Sequence, residues 1–495
     1  MIMPPAASQA NGQPVAPRAG GAASAGDAPC GWRRCLSGAG GARALAAVFL
    51  LFGTLATGLL TFMLPPFQSA DELTHMMRAA QIADGVLLGR RVVVRNPDGS
   101  SKITAGGDTD PALLLAYSPF YAVHFHPEVK VTRAMWDPPR RWGSERVPGV
   151  FPNTATYPPI FYLPGAAGVA IGRGLDLNVV QTLYLARALT GMVAVAVASA
   201  AIALAGAAAV WLFALMTLPM SLSLVATPSQ DALLLSCAAL GTALVLRLCR
   251  SAPRREASLA GLVATLCLVT TARPPYVGLL LLMFVPGGVT LRWRLTGVAT
   301  IGACVAAWSG LVAATTLTVV GDFRGADPAA QLGLLLHDPL RIVAIAYATL
   351  TSHAPQYLES FIGRLGWLDT PLPEWYRTAA LVVLGAALLC AVLGQPRAAV
   401  GAGGRVLVVL ALLCACGAVF SIQYLTWTPV GSRLVEGVQG RYFLPLAMFA
   451  IVAVPSVGLG RLGGLRLALL GGVAAFPILS LAVVMRTLVL RYYLG

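Results

Sequence analysis

Long apolar runs, each separated from the next by a shorter polar segment, constrain this chain more than any other feature of its sequence. The first run, residues 44–64 (ALAAVFLLFGTLATGLLTFML), contains no charged residue, and a helix needs about 20 apolar residues to cross a bilayer. Only 11% of the 495 residues are charged, whereas soluble proteins carry about 25%. The sequence therefore excludes a soluble enzyme and predicts an all-α integral membrane protein.

The segment before the first run has a different composition. Residues 1–40 are rich in Ala, Gly, Pro and Ser and show no apolar periodicity, so we expect a disordered tail. The run at 44–64 is too long for the apolar part of a signal peptide and should remain as the first span of a polytopic domain, 41–495. Basic residues directly precede this run: Arg33, Arg34 and Arg43. The positive-inside rule then places the tail in the cytoplasm.

The positive-inside rule also explains the excess of basic over acidic residues in the chain. The 35 basic and 20 acidic residues give a net charge of +15, but the basic residues are spread between apolar runs. A nucleic-acid partner is therefore not expected, because such a partner needs a clustered basic surface.

The topology depends on one short apolar run, residues 159–172 (PIFYLPGAAGVAIG). If this run lies along the membrane surface as a juxtamembrane helix, the later basic clusters all fall in the cytoplasm; if it spans, they are exported. The first arrangement satisfies the positive-inside rule and gives about eleven spans. The clusters are Arg250, Arg254 and Arg255; Arg292 and Arg294; Arg397 and Arg405; Arg461 and Arg466. The predicted spans are 44–64, 179–204, 207–225, 231–248, 257–272, 276–291, 295–320, 378–394, 405–425, 441–458 and 467–488.

This topology exports two polar loops, residues 65–158 and 321–376. Together they hold all five histidines and 15 of the 20 acidic residues. Acid, base or metal chemistry would therefore draw its groups mainly from these loops.

The start of the first loop carries the strongest candidates for chemistry. Asp71 and His75 are four residues apart, so they share one face of a short amphipathic helix that begins near Ala70. One interpretation is that Asp71 or Glu72 acts as a general base; another is a divalent metal ion bound by Asp71 and His75. The alternative without function is that the carboxylates only stabilise the start of the helix.

Further polar residues are predicted at the exported ends of spans. They include Arg187, Asp231, Arg273 and Arg441, and a hydrated cavity that opens to the exported side would account for all of these polar residues. Arginines there could bind a phosphate, or could anchor spans at the level of the lipid head groups. Trp367 and Asp369 could bind a sugar by stacking and hydrogen bonding, although a tryptophan is also common at the membrane interface.

Five motifs in register resemble those of a bacterial family of multi-spanning membrane proteins that is catalogued as a domain of unknown function. That family is in turn distantly similar to the GT-C glycosyltransferases, which take a sugar from a polyprenyl-phosphate carrier on the exported face. The motifs are PPFQSADELTHMMRAAQIADG (65–85), YPPIFYLPGAAGVAIGR (157–173), TPSQDALLLS (227–236), GRLGWLDTPLP (363–373) and VQGRYFLPL (438–446).

The resemblance implies a GT-C-like fold in a bacterial inner (cytoplasmic) membrane. It implies that Asp71 or Glu72 is the catalytic carboxylate, and that Pro158 and Pro159 begin a juxtamembrane helix. Ala70 departs from the family pattern, in which a proline usually precedes the acidic pair.

The resulting hypothesis is a membrane glycosyltransferase that moves a sugar from a polyprenyl-phosphate donor to a glycan or lipid acceptor of the cell envelope. Arginines would bind the departing phosphate. The alternatives are a transporter or flippase of an envelope precursor, or an envelope-glycan polymerase or ligase. A transporter should show inverted repeats, and the 65–173 block has no second copy.

Overall fold

The computed structural model describes residues 39–95, 99, 101–250, 254–318, 324–394, 400–455 and 463–494. Residues 1–38 of the predicted tail lie outside this description, and so do Arg397 and Arg461 of the predicted basic clusters.

The N-terminal part begins with one long helix and continues into a mixed loop domain. Its regular elements are α1 (Ala39–Met63), α2 (Glu72–Ala83), β1 (Arg90–Arg95), β2 (Ser101–Thr109), α3 (Pro111–Tyr117), β3 (Val147–Val150) and α4 (Leu163–Gly174). Helix α1 ends just before Pro65 and Pro66, because proline lacks an amide hydrogen and clashes with the preceding turn.

The first loop contains a small sheet that the sequence analysis did not predict. Its strands pair antiparallel in the order β1-β2-β3, with Val93 opposite Ile103 and Gly106 opposite Val150. The sheet packs on α2 so closely that a Cβ on Gly107 would lie 2.3 Å from the side-chain nitrogen of Gln81. The sheet therefore supports the helix that carries the acidic motif.

The predicted juxtamembrane segment is helical and short. A turn of 3₁₀ helix at Pro159–Tyr162 leads into α4, whose twelve residues are too few to cross a bilayer. Glycines let α4 approach the next helix: a Cβ on Gly168 would lie 2.6 Å from the Cα of Ala186. Small residues at such a contact allow two helix backbones to pack closely.

The central part of the chain is a series of helices. They are α5 (Val179–Ala205), α6 (Ala209–Met216), α7 (Pro219–Val225), α8 (Gln230–Cys249), α9 (Arg255–Ala272), a 3₁₀ helix (Pro274–Phe284) and α10 (Leu291–Thr315).

The predicted span 207–225 consists of two short helices, α6 and α7. The chain reverses after α5 at Gly206, whose φ of +64° favours glycine, and α7 begins with Pro219. At the other end of this segment, the Thr227 hydroxyl lies 2.8 Å from that of Ser69. The segment therefore runs back from the far end of α5 to the start of the first loop.

The last part contains a bent helix pair and four further helices. These elements are α11 (Pro328–His337), α12 (Arg341–Ile362), the two-residue strands β4 (Arg364–Leu365) and β5 (Thr370–Pro371), α13 (Glu374–Gly394), α14 (Ala402–Thr426), α15 (Leu444–Ala453) and α16 (Gly463–Tyr492). Helices α11 and α12 meet at an angle of 113° and together are apolar enough to form one broken span or a re-entrant segment. The predicted second loop, 321–376, is thus more helical and more apolar than its acidic residues suggested.

Contacts between helix ends divide the bundle into two ends. At the end that carries the first loop, called here the site end, Tyr493 near the C-terminus donates to the Met63 carbonyl at 3.2 Å, and Thr316 donates to the Gly89 carbonyl at 2.7 Å. At the opposite end, Arg250 donates to the carbonyl of Ala205 at 2.9 Å.

The all-α membrane class is confirmed. In the described ranges, eight helices are long and apolar enough to cross a membrane, or nine if the bent pair is one span. The eight are Gly40–Met63, Val179–Met216, Gln230–Cys249, Arg255–Ala272, Leu291–Thr315, Glu374–Gly394, Ala402–Thr426 and Gly464–Tyr492. The second of these stretches comprises α5, the turn at Gly206 and α6, and its crossing part is α5. The predicted spans 207–225, 276–291 and 441–458 correspond to shorter helices; for the second of these, Pro274 and Pro275 start a 3₁₀ helix. The count of eleven stays a prediction.

Candidate functional site

The break between α1 and α2 is held by a buried ion pair. Arg187 of α5 donates from Nε and Nη2 to both carboxylate oxygens of Glu72, each at 2.6 Å, and neither side chain is exposed. The same guanidinium also donates to three backbone carbonyls after and at the end of α1, those of Thr61, Leu64 and Pro65. Such a pair has every oxygen and most donors satisfied, so it fixes the chain that leads into α2.

Asp71 is oriented differently from its neighbour Glu72. Its backbone is left-handed, with φ +60° and ψ +13°, and its side chain is 36% exposed. Oδ1 accepts one hydrogen bond, from Asn153 at 3.0 Å. Oδ2 lies 3.6 Å from Nη2 of Arg441, which is beyond hydrogen-bond distance. A strained backbone position that holds an accessible carboxylate is a feature of functional sites.

A second ion pair lies beside Asp71. Arg273, which follows α9, donates to Asp231 in the first turn of α8 at 2.6 Å. The Arg273 guanidinium lies over the ring of Tyr442, 4.5 Å from its centroid, and that of Arg441 lies 5.7 Å from the same centroid. Both guanidinium groups are therefore within cation–π distance of the same tyrosine ring.

These groups line one cavity of about 450 Å³ at the site end. The structure thus brings together five of the predicted site residues, namely Asp71, His75, Asp231, Arg273 and Arg441. They come from segments far apart in sequence, and they are joined by a set of uncharged lining residues: Pro152, Asn153, Thr154, Thr156, Tyr157, Gln230, Leu317, Ile422, Gln423, Thr426, Trp427, Gly437, Gln439 and Tyr442.

His75 lies on the buried side of the cavity. Its Nδ1 is 2.8 Å from the hydroxyl of Tyr162. The pKa of His75 is lowered from 6.5 to about 4, mainly by burial; Asp71 and Asp231 oppose this shift, and Arg441 and Arg273 contribute to it. The imidazole is therefore neutral at neutral pH. When Tyr162 donates to Nδ1, the ring proton is on Nε2.

An apolar groove of about 660 Å³ adjoins the polar cavity. It runs between the end of α9, the following 3₁₀ helix, α10 and α14, and most of its surface is apolar. Its lining residues include Ala272, Pro274, Pro275, Val277, Trp308, Val312, Ala418 and Leu425. Four residues line both spaces, Thr156, Tyr157, Leu317 and Ile422, so the groove and the cavity share a wall.

Four other predicted site residues do not line the cavity. Glu72 and Arg187 are enclosed in the ion pair described above. Trp367 donates from its indole nitrogen to the Phe67 carbonyl at 2.9 Å. Asp369 accepts from Arg491 of α16 at 2.8 Å and from the Phe125 backbone at 3.0 Å. Trp367 and Asp369 thus tie the second loop and the C-terminal helix to the first loop.

A divalent metal ion bound by Asp71 and His75 was one interpretation of this pair. Across the residues whose structure is described, no group of three or more His, Cys, Asp or Glu side chains could hold a metal ion. The alternative of a divalent ion on Asp71 and His75 therefore lacks a third protein ligand of these types in that part of the chain, and one His75 nitrogen is already engaged by Tyr162.

Sequence reasoning missed the uncharged part of the lining. Asn153, Tyr157, Gln230, Gln439 and Tyr442 all face the cavity. Four of them could have been predicted, because they belong to the quoted motifs. Tyr157 begins the second motif, Gln230 precedes Asp231, and Gln439 and Tyr442 flank Arg441. Apart from His75 and Trp367, the predicted site residues are charged, since charge is the property that stands out in an apolar sequence.

Comparison with known proteins identifies a family but no activity. A family model described as "Predicted membrane protein (DUF2142)" matches residues 54–450, so the chain belongs to that family. No curated protein and no solved structure matches it. The expected membership in a membrane-protein family of unknown function is confirmed, while the GT-C likeness stays a prediction.

Proposed function

We propose that this member of the DUF2142 family transfers a sugar from a polyprenyl-phosphate donor to a hydroxyl of a cell-envelope glycan or lipid, with Asp71 as the general base. The observation that carries the proposal is a cavity in which an accessible carboxylate faces two arginines, directly beside an apolar groove.

The two spaces suit the two parts of such a donor. A polyprenyl chain is apolar and fits a groove lined mainly by aliphatic and aromatic side chains. A phosphate needs cationic donors, which Arg273 and Arg441 provide. Arg273 keeps its Nε without a partner in the described residues, although this atom is buried. The groove and the cavity have four lining residues in common, so the two spaces lie side by side, as the two parts of one donor require.

The reaction follows from the positions of the charges. The acceptor hydroxyl attacks the anomeric carbon of the sugar, the bond from that carbon to the phosphate oxygen breaks, and the bonding electrons leave with the polyprenyl phosphate. The hydroxyl proton moves to the carboxylate of Asp71. The arginines stabilise the charge that develops on the departing phosphate.

The choice of Asp71 over Glu72 rests on their surroundings. A general base must reach the proton that it removes. Asp71 is 36% exposed and accepts one hydrogen bond, whereas Glu72 is fully buried and bound through both oxygens. Only Asp71 of this pair faces the cavity.

The test is transfer from a panel of polyprenyl-phosphate sugars by the protein in nanodiscs. We expect turnover by wild type and a loss of at least about 100-fold in Asp71→Asn, the scale of general-base catalysis. Asp108→Asn is the matched control, because Asp108 is an exposed carboxylate of the same loop that pairs with Arg90.

Two results would contradict the proposal. Wild type without turnover of any donor would exclude this activity for the panel. Full activity in Asp71→Asn, together with inactivity in Arg273→Ala, would favour a polymerase or ligase that depends on arginine instead.

A further inference from the structure

Gln230 is the most unusual polar residue of the cavity. Its side chain is fully buried, and neither its amide nitrogen nor its amide oxygen has a hydrogen-bond partner in the described structure. Yet Gln230 lines the cavity. Buried polar groups in native proteins are almost always paired, so a side chain with both ends unpaired calls for a ligand.

The chemistry of the amide limits which class of ligand can pair with it. A glutamine side chain offers two N–H donors at one end and an acceptor oxygen at the other. A phosphate has only acceptors at its ionised oxygens, so it would satisfy the nitrogen and leave the oxygen unpaired. A hydroxyl both donates and accepts. Two neighbouring hydroxyls of a sugar can therefore satisfy both ends of one amide.

The position of Gln230 agrees with this ligand. The next residue, Asp231, pairs with Arg273, whose free Nε is a candidate phosphate donor. A sugar attached to that phosphate would lie within a few ångströms of it, in the same cavity that Gln230 lines.

We propose that Gln230 recognises the donor by hydrogen bonds from its amide to two neighbouring hydroxyls of the sugar, and so determines which sugars are accepted. This inference rests on the proposed function for the identity of the donor. The residue acts in specificity and takes no part in proton transfer.

The first test compares binding rather than turnover. Dissociation constants are measured for bare polyprenyl phosphate and for the same lipid carrying a hexose, with wild type and Gln230→Met in nanodiscs. Methionine has a similar length but no hydrogen-bonding amide. We expect wild type to bind the sugar-bearing lipid more tightly than the bare lipid. In Gln230→Met the ratio of the two dissociation constants should be about tenfold smaller, since the variant still binds the phosphate but no longer the sugar hydroxyls.

The second test uses deoxy donors. For the full sugar, kcat/KM should fall about tenfold or more in Gln230→Met. For a donor that lacks either of the two contacted hydroxyls, the same substitution should change kcat/KM by less than about threefold, because the partner is already missing. A loss of equal size for every donor, deoxy or not, would overturn the inference.

Gln331 provides the matched control. It is also a fully buried glutamine, but its amide is paired: Nε2 donates to the Tyr424 carbonyl at 3.2 Å, and Oε1 accepts from the Gly431 backbone at 2.8 Å. Gln331→Met should therefore lower the Tm and leave the sugar preference unchanged. Gln230→Met should not lower the Tm, because it breaks no hydrogen bond of the free protein.

The outcomes separate the two proposals. A sugar preference that depends on Gln230 without any turnover would support this inference and count against the transferase. Turnover in wild type with an unchanged preference in Gln230→Met would overturn this inference alone. A Tm loss in Gln230→Met as large as that in Gln331→Met would also overturn it, and absence of any lipid binding would overturn both.

Discussion

Two adjacent carboxylates, Asp71 and Glu72, have different tasks at the start of the same helix. The ion pair of Glu72 with Arg187 is fully buried, so Glu72→Gln would leave a buried guanidinium without its counter-charge. We expect this change to cost about 3–5 kcal/mol of stability, read as a lower Tm in detergent. The double variant Glu72→Met with Arg187→Met should recover part of the loss, since it leaves no unpaired charge.

The comparison residue for this prediction is Asp108, whose pair with Arg90 is about half exposed. Its replacement by Asn should change the stability by less than about 1 kcal/mol. A Tm for Glu72→Gln equal to that of wild type would show that the pair does not hold the chain between α1 and α2.

His75 should make the protein sensitive to acid. Burial lowers its folded-state pKa to about 4 from an ordinary value of 6.5. Between these two pH values the unfolded chain binds more protons than the folded one, so the free energy of unfolding falls as the pH falls. The loss is on the order of 3 kcal/mol at pH 4 and is absent above about pH 7. Thermal unfolding from pH 7 to pH 4 measures it.

The variant His75→Gln isolates this effect, because glutamine can still bond Tyr162 but does not titrate. Its Tm should fall less than that of wild type over the same pH range. Parallel curves for the two proteins would mean that His75 does not carry the acid sensitivity.

At the scale of elements, the sequence predicts where helices exist better than how they are interrupted. Uniform apolar runs such as α1 and α14 could be located, since every residue favours the same environment. The prediction was less successful at Pro219 and at Pro274, where a proline changes one long helix into shorter pieces whose geometry depends on neighbours. The sheet of the first loop was not predicted, because apolar and polar residues do not alternate regularly in its Gly-rich strand, Ser101–Thr109.

The same limit applies to the site. A common location for the charged residues was predictable from the span pattern, and Asp231, Arg273 and Arg441 do line one cavity at the site end. The partner of Arg187 could not be derived from the sequence: it is Glu72, 115 residues away. Which of two charges is paired depends on packing between distant segments, which periodicity does not encode.

The groove between α9, α10 and α14 leads to a prediction at this scale. Ser309 lines the groove, whereas Leu311 on the same helix does not and is 40% exposed. Ser309→Trp should raise the KM for a long polyprenyl donor about tenfold, because an indole takes the space of part of the chain. A tenfold change in KM corresponds to about 1.4 kcal/mol, which is less than the free energy gained by burying a single five-carbon isoprene unit.

Leu311→Trp is the control and should leave the KM unchanged. A donor with a chain of only two isoprene units should also be less affected by Ser309→Trp. An equal effect of Ser309→Trp on long and short donors would indicate that the chain lies elsewhere.

The distribution of arginines between the two ends of the molecule predicts its orientation in the membrane. The described arginines of the predicted cytoplasmic clusters are Arg250, Arg254, Arg255, Arg292, Arg294, Arg405 and Arg466. One of them lies at the end opposite the cavity by its contact: Arg250 donates to the Ala205 carbonyl at 2.9 Å. The first loop also contains basic residues, but long loops are translocated largely regardless of charge. We therefore expect the cavity on the exported side.

Labelling of single cysteines in a cysteine-free background tests both the orientation and the number of crossings. Ser101 and Leu494 lie at exposed positions of the site end, and Thr290 and Ala402 at exposed positions of the opposite end. A membrane-impermeant maleimide added to intact cells should label cysteines at the first two positions, and should label the other two only after permeabilisation. Because eleven is an odd number of crossings, a cysteine at Leu494 should be labelled from the same side as the first loop. Protection of this cysteine would require an even number of crossings. It would mean that one of the three short helical segments does not cross the membrane.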